Sequence, residues 1–258
     1  LNSHEHTPLL AAMTKGDEDM ALYLLSLPLP PGKTCWDDEL SDSGRWMDRK
    51  DYPLLTIAAE SGLPRVVKAL LDLGLDLMGR DADRHLAVCR AVTGCRVEVV
   101  NVLLEAHAVQ NGGDEGAKAV LECPCTQEQE QQAYPLLFHA LDTVRTTTPE
   151  NQLAMVRCLV QKWGADVRAV ICSGAQKCEY FPLYDAAMGC AHNVVAFFLD
   201  ECGMDINIRT PRTQSTVLHS LVRTPVRDEG EALRMLKYLM AQITRSRVRT
   251  DTMQYHLP

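Results

Sequence analysis

Residues 53–76 read Pro53-Leu54-Leu55-Thr56-Ile57-Ala58-Ala59-Glu60-Ser61-Gly62-Leu63-Pro64-Arg65-Val66-Val67-Lys68-Ala69-Leu70-Leu71-Asp72-Leu73-Gly74-Leu75-Asp76, and this stretch decides the fold. Its first half carries small and apolar residues through Ala58-Ala59 to Gly62, the pattern of a short helix stopped by a glycine. Its second half places Val66-Val67 and, one helical turn later, Leu70-Leu71. Positions n, n+1, n+4 and n+5 form one broad stripe of an α-helix, and that stripe must be buried against a neighbour. The two halves predict a helical hairpin entered through an extended segment.

The same stripe recurs on both sides of this unit. It appears as Met20-Ala21 with Leu24-Leu25, Val99-Val100 with Leu103-Leu104, and Met155-Val156 with Leu159-Val160. Val194-Val195 with Phe198-Leu199 and Met235-Leu236 with Leu239-Met240 complete the set. The shorter helix recurs at Thr7-Pro8-Leu9-Leu10-Ala11-Ala12, at Tyr134-Pro135-Leu136-Leu137-Phe138-His139-Ala140 and at Phe181-Pro182-Leu183-Tyr184-Asp185-Ala186-Ala187, the last reaching Gly189. A proline near the first helical position loses nothing, because its missing N–H would have had no intrahelical partner there. Paired alanines let the short helix approach its neighbours closely.

On these residues the chain resembles the ankyrin repeat family. Thr7-Pro8-Leu9-Leu10 and Thr216-Val217-Leu218-His219 approximate the family's Thr-Pro-Leu-His opening. Leu70-Leu71-Asp72-Leu73-Gly74-Leu75-Asp76, Trp163-Gly164-Ala165-Asp166-Val167 and Cys202-Gly203-Met204-Asp205-Ile206-Asn207 resemble its closing turn. The resemblance runs from about Thr7 to about Ala241. It implies an all-α fold in content: an ankyrin-like solenoid of about six helix-turn-helix units with short β-hairpin fingers, forming one domain over 1–258. The units fall near 7–27, 52–77, 84–108, 134–167, 181–207 and 215–242. Stripe starts are separated by 46, 33, 56, 39 and 41 residues, against a family period of about 33. Only the second interval is standard, so the other connections carry extra sequence. The two largest insertions fall in the first and third fingers. Smaller ones, around Thr146-Thr147-Thr148-Pro149 and 224–228, lengthen the turn between paired helices.

Composition bounds the function. Apolar residues are 46% and aromatics only 5%, which suits helices packed on helices. A net charge of -8 repels phosphate backbones, and Arg245, Arg247 and Arg249 read as a solvated tail, so no nucleic-acid partner is expected. No apolar run approaches a membrane span, and residues 1–6 do not resemble a signal peptide. Ten cysteines are scattered through helical stretches, with Cys89, Cys158 and Cys190 inside apolar runs, which points to buried thiols in a reducing cytoplasmic or nuclear compartment. The chain begins on Leu1 and is expected to be a piece of a longer protein, with no clear cap after the sixth outer stripe. A monomer is expected, unless exposed Met and Leu on that last stripe drive self-association.

The resemblance implies recognition of a protein or peptide through the short helices and the finger loops, since loops on a rigid scaffold are where binding concentrates. Trp36, Arg45 and Trp46 in the first insertion are candidate contacts, because Trp and Arg dominate interface hot spots. The two tryptophans could equally fold back over the N-terminal end of the stack. Arg80, Asp81 and Arg84 in the second finger, and Arg209, Thr210 and Arg212 in the fifth, are expected to point outwards, either to an acidic peptide or simply to solvent. The third insertion, Gln/Glu-rich, reads as a polar expansion.

Chemistry is not expected. Cys123-Pro124-Cys125, His4-Glu5-His6, and Cys89 with Cys95 do not supply a four-ligand zinc spacing, so no metal and no cofactor are expected. Pairing of a cysteine with His85, His107, His139, His192 or His219 lacks any flanking signature of a nucleophile, and no catalytic residue is assigned. His219 fills the family's Thr-Pro-Leu-His position, where the side chain supports the start of the helix, while His139 lies off the comparable site. Gly112-Gly113 is not a phosphate loop. The function expected is a non-catalytic interaction scaffold. The alternatives are a regulatory or targeting arm of a multidomain, effector-like protein, or more distantly an enzyme with a site in the groove.

Overall fold

The structure is a computed structural model and describes residues 8–27, 54–81, 83–110, 113–122, 125–126, 133–142, 147–173, 178–223 and 229–254. It is mostly helical. The short helices are α1 (Pro8–Thr14), α3 (Leu54–Ser61), α5 (Ala87–Thr93), α8 (Leu136–Leu141), α10 (Pro182–Met188) and α12 (Val217–Arg223). Each contacts the next in chain order and together they form a first row. The stripe-bearing helices are α2 (Glu18–Ser26), α4 (Pro64–Asp72), α6 (Val97–Gln110), α9 (Pro149–Arg157), α11 (His192–Ala196) and α13 (Glu229–Gln254). Each packs on its preceding short helix, forming a second row.

Why this sequence makes hairpins is visible in the turns. Four of them close with the same pair of bonds: Asp17, Leu63, Arg96 and Ala191 donate their N–H to Ala12, Ala58, Ala91 and Ala186 O, while Gly16, Gly62, Cys95 and Cys190 donate to the residue three before. That is the Schellman arrangement, which needs one residue at positive φ. Gly62 supplies it at φ 80, and a Cβ there would lie 2.7 Å from Arg96 Cδ. Cys95 (φ 52) and Cys190 (φ 56) adopt the same conformation as non-glycine residues. Gly189, expected to end α10, is therefore its right-handed cap (φ -74), and the left-handed position belongs to Cys190.

The far ends of the stripe-bearing helices repeat as well. Asp76, Asp166 and Asp205 each accept the N–H two residues on through Oδ1, at 2.8, 2.8 and 2.9 Å. Val160 to Gly164 and Leu199 to Gly203 span one residue more than Leu71 to Gly74. The chain absorbs the extra residue as a π-turn, at Cys158–Lys162 and at Phe197–Glu201, and returns to the same Gly-x-Asp turn.

Between the rows the stripes are buried, with Val66, Val67, Leu70, Val100, Leu103, Leu104, Met155, Val156, Leu159, Val195, Phe198, Met235 and Leu239 all at 0% exposure. Leu24, Leu25, Leu71, Val160, Leu199 and Leu236 are half-buried, and only Met20 (47% exposed) and Met240 (49%) of the stripe residues are exposed. In the last stripe, whose exposure would drive self-association, Met235 and Leu239 are buried, Leu236 is half-buried and Met240 is exposed.

The connections are corrected in one place. Within the third insertion, read as a polar expansion, residues 114–122 form α7 (Asp114–Glu122), which rests on α6 and α8 through buried Val120 and Leu121. The insertion ends in β1 (Cys125–Thr126), antiparallel to β2 (Ala133–Tyr134), with Cys125 opposite Tyr134. A second pair, β3 (Ile171–Ser173) and β4 (Cys178–Tyr180), places Ile171 opposite Tyr180, and an isolated bridge joins Arg80 to Leu86. In the lengthened turn before α9, Thr148 caps the helix by accepting from Asn151 N, with Pro149 at its first position. No helix among the described residues is long and apolar enough to cross a membrane.

Candidate recognition surface

The loops that enter the first-row helices are built by a shared device. Asp81 N donates to His85 O (3.0 Å), and Asp81 Oδ1 accepts from His85 N (2.8 Å). Thr210 N donates to Ser215 O (3.1 Å), and Thr210 Oγ1 accepts from Ser215 N (3.0 Å). Arg84 (φ 63) and Gln214 (φ 52) take the left-handed step that turns each loop. Asp81 is 4% exposed and Thr210 is fully buried. Both were expected to point outwards, and both instead point in and staple their loops. The reason is that a loop reversing over a few residues leaves an inward N–H that only a short acceptor side chain can reach.

The arginines of these loops do reach the surface. Arg80, Arg84, Arg209 and Arg212 are exposed. Arg80 Nη1 donates to Arg84 O at 2.8 Å. Arg212 N donates to Oε2 of buried Glu179 on β4, and its Nε lies 3.9 Å from Oε1. Glu179 therefore ties the β3–β4 strand pair to the next loop, a connection no sequence pattern singled out. Tyr184 adds a third tie, its hydroxyl lying 2.6 Å from Ile208 O and 2.7 Å from Ser215 O. Trp36, Arg45 and Trp46 lie outside the described residues.

Between the loops, the first-row face carries a chain of rings. Tyr134 meets His139 edge-on at 4.8 Å between centroids, and His139 meets His85 at 5.7 Å. His139 is buried and its Nε2 has no hydrogen-bond partner. Asp185, in the first turn of α10, has its carboxyl pushed up to about 7, first by burial and then by the Asp142 charge; the same two causes, with Asp185 itself, push the Tyr134 phenol up. His219 supports the start of α12, its Nδ1 lying 2.8 Å from Thr216 Oγ1 and accepting from Thr216 N.

Two chemical alternatives meet physical obstacles. Asp81, Asp83 and His85 hold ligand atoms within 4.8 Å of one another. The space is taken by Arg90, whose Nε lies 2.6 Å from Asp81 Oδ2 and whose Nη2 lies 2.5 Å from Asp83 Oδ2, so a metal ion would have to expel a guanidinium already neutralising both carboxylates. Burial pushes the thiols of Cys158 and Cys202 up, against the nearby Lys162 and Arg157 charges, which is the reverse of an activated nucleophile. Burial likewise holds His107 down at about 4, keeping it neutral near pH 7.

No family model and no curated protein matches the chain. Among solved structures it is similar to the Bd0816 predatory endopeptidase from Bdellovibrio bacteriovorus in complex with immunity protein Bd3460, at 19% identity and a TM-score of 0.46, covering 90% of this chain and 98% of that one.

Proposed function

We propose that this chain is an ankyrin-type solenoid that binds a protein or peptide without catalysis, using the first-row helices and the loops between units. The observation that carries the reading is the recurrence of the same turn hydrogen bonds at equivalent places, the alanine-to-backbone closure in four units and the Asp turn in three. Recurrence at that level implies one unit copied along the chain, stacked so that each unit contacts its neighbours. In this reading 1–258 is one continuous array, the loops at 80–86 and 208–216 and the strand pairs are its fingers, and Arg80, Arg84, Arg209 and Arg212 are the exposed basic groups offered to a partner. Free thiols at Cys158 and Cys202 suit a reducing compartment. A regulatory arm of a larger protein is the same activity in a different setting.

The test is capture of a partner from lysate by the intact chain and by two variants. One carries Trp36→Ala, Arg45→Ala and Trp46→Ala; the other carries Arg80→Ala, Arg84→Ala, Arg209→Ala and Arg212→Ala. Loss of capture with unchanged helicity in either variant locates recognition on those loops. Capture that survives both moves recognition away from the fingers, and failure of the intact chain to hold any partner counts against binding.

A further inference from the structure

We propose that Asp142 and Asp185, with the Tyr134 ring and the His139 imidazole, form a receptor for one cationic side chain of the partner, a guanidinium or an ammonium. The proposal rests on the recognition reading above and names the chemistry of the group that docks.

All four residues come from two successive units of the first row. Tyr134 ends β2, His139 lies in α8, Asp142 is the C-cap of α8, and Asp185 begins α10, the helix packed beside it. Asp142 sits where helical carbonyls converge, a place that favours a cation rather than a carboxylate. Among the described residues neither carboxylate has an ion pair or a hydrogen bond through its side chain, whereas Asp81 and Glu179 are both met by arginine. Burial first, and the Asp142 charge second, push the Asp185 carboxyl up, and burial with both carboxylates pushes the Tyr134 phenol up, which sets the two acids beside each other and beside the ring.

His139 is the independent sign of a ligand. It is 8% exposed, its Nε2 has no partner, and its ring edge lies against Tyr134. A buried nitrogen left without a hydrogen bond costs free energy that folding alone does not explain. An imidazole nitrogen without a partner, two carboxylates and an aromatic ring are jointly what a guanidinium seeks, since it donates in a planar fork and stacks on π-faces.

Around α10, Glu179 on β4 accepts from the backbone N–H groups of Arg212 and Thr213, His192 Nδ1 meets Cys190 O and His219 meets Thr216, while the charge of the exposed Arg209 acts on the Tyr184 hydroxyl. Ionisation of Asp185 is thus what a bound cation reads. With a carboxyl near 7, the competent fraction rises from about a tenth at pH 6 to about nine-tenths at pH 8, so affinity should rise about tenfold.

The experiment titrates N-acetylarginine amide into the full chain, with N-acetylcitrulline amide as the neutral isostere, and follows the Tyr134 and His139 ring resonances by NMR. Expected are saturable shifts for the arginine probe only, about tenfold weaker at pH 6 than at pH 8, and lost in Asp185→Asn and Asp142→Asn while the helical spectrum is retained. Equal response to both probes, shifts that never saturate, or undiminished binding in Asp185→Asn overturns the receptor. Capture of a partner that survives both Asn variants overturns it too and leaves the recognition reading standing. A chain that binds the arginine probe at these rings but captures no protein fails the recognition reading alone.

Discussion

Replacing Asp81 removes the acceptor around which the second interunit loop is wound. Its carboxylate is fully buried, accepts His85 N at 2.8 Å and meets Arg90 Nε at 2.6 Å, while the Arg90 side chain is 20% exposed and keeps Asp83 as a second partner. The lost loop bond costs roughly 1 kcal/mol. A charge-assisted bond to a partly screened arginine that retains another carboxylate adds about 1–2 kcal/mol, below the 3–5 of a sealed pair. Asp81→Ala should therefore destabilise by about 2–3 kcal/mol, and Asp81→Asn by less, since the amide oxygen still accepts from His85. A chain of this size loses about 2–4 °C per kcal/mol, so thermal melts followed by circular dichroism should resolve the series. The decisive form is a double-mutant cycle with Arg90→Met, in which a coupling of about 1–2 kcal/mol is expected. Additive losses, or an Asp81→Ala change under about 0.5 kcal/mol, would refute the loop-stapling role.

Asp185 has its folded carboxyl raised from 3.8 to about 7, so the unfolded chain releases its proton first and stability is lost as pH rises from about 4 to about 7, then levels. Asp185→Asn should flatten that slope and stabilise the chain at pH 8, read from denaturant midpoints at pH 5 and pH 8. Gly62→Ala should cost about 1–2 kcal/mol, because its φ of 80 and the Arg96 side chain 2.7 Å from the new Cβ both oppose it. Asn101 Oδ1 receives Lys162 Nζ, Trp163 Nε1 and Cys158 Sγ across the second row, so Asn101→Ala should speed hydrogen exchange in α9 and its π-turn.

Much of the scaffold was legible because its signals are local. The stripe at Val66-Val67 and Leu70-Leu71 implies its own burial, and the alanine pairs and Gly62 imply the hairpin turn. What escaped was decided by distance in space. Asp81 and Thr210 look like polar loop tips, and only the folded loop shows an N–H of His85 or Ser215 aimed at each. Helix α7 was hidden because its residues 114–122 carry a single narrow apolar edge beside a Gln/Glu-rich run. Tyr134 and His139 share one short stretch of sequence, but Asp142 and Asp185 come from successive units some forty residues apart, which no one-dimensional pattern could bring together. The π-turns were legible in retrospect, as one extra residue before Gly164 and Gly203.

The central claim is that the loops and first-row helices hold a partner. Hydrogen–deuterium exchange on the chain alone and loaded with a captured partner tests it most directly. Expected is added protection at 80–86, 208–216 and the short helices α8 and α10, with α4 and α6 unchanged. Protection confined to the second-row helices, with those loops exchanging as freely as before, would contradict it.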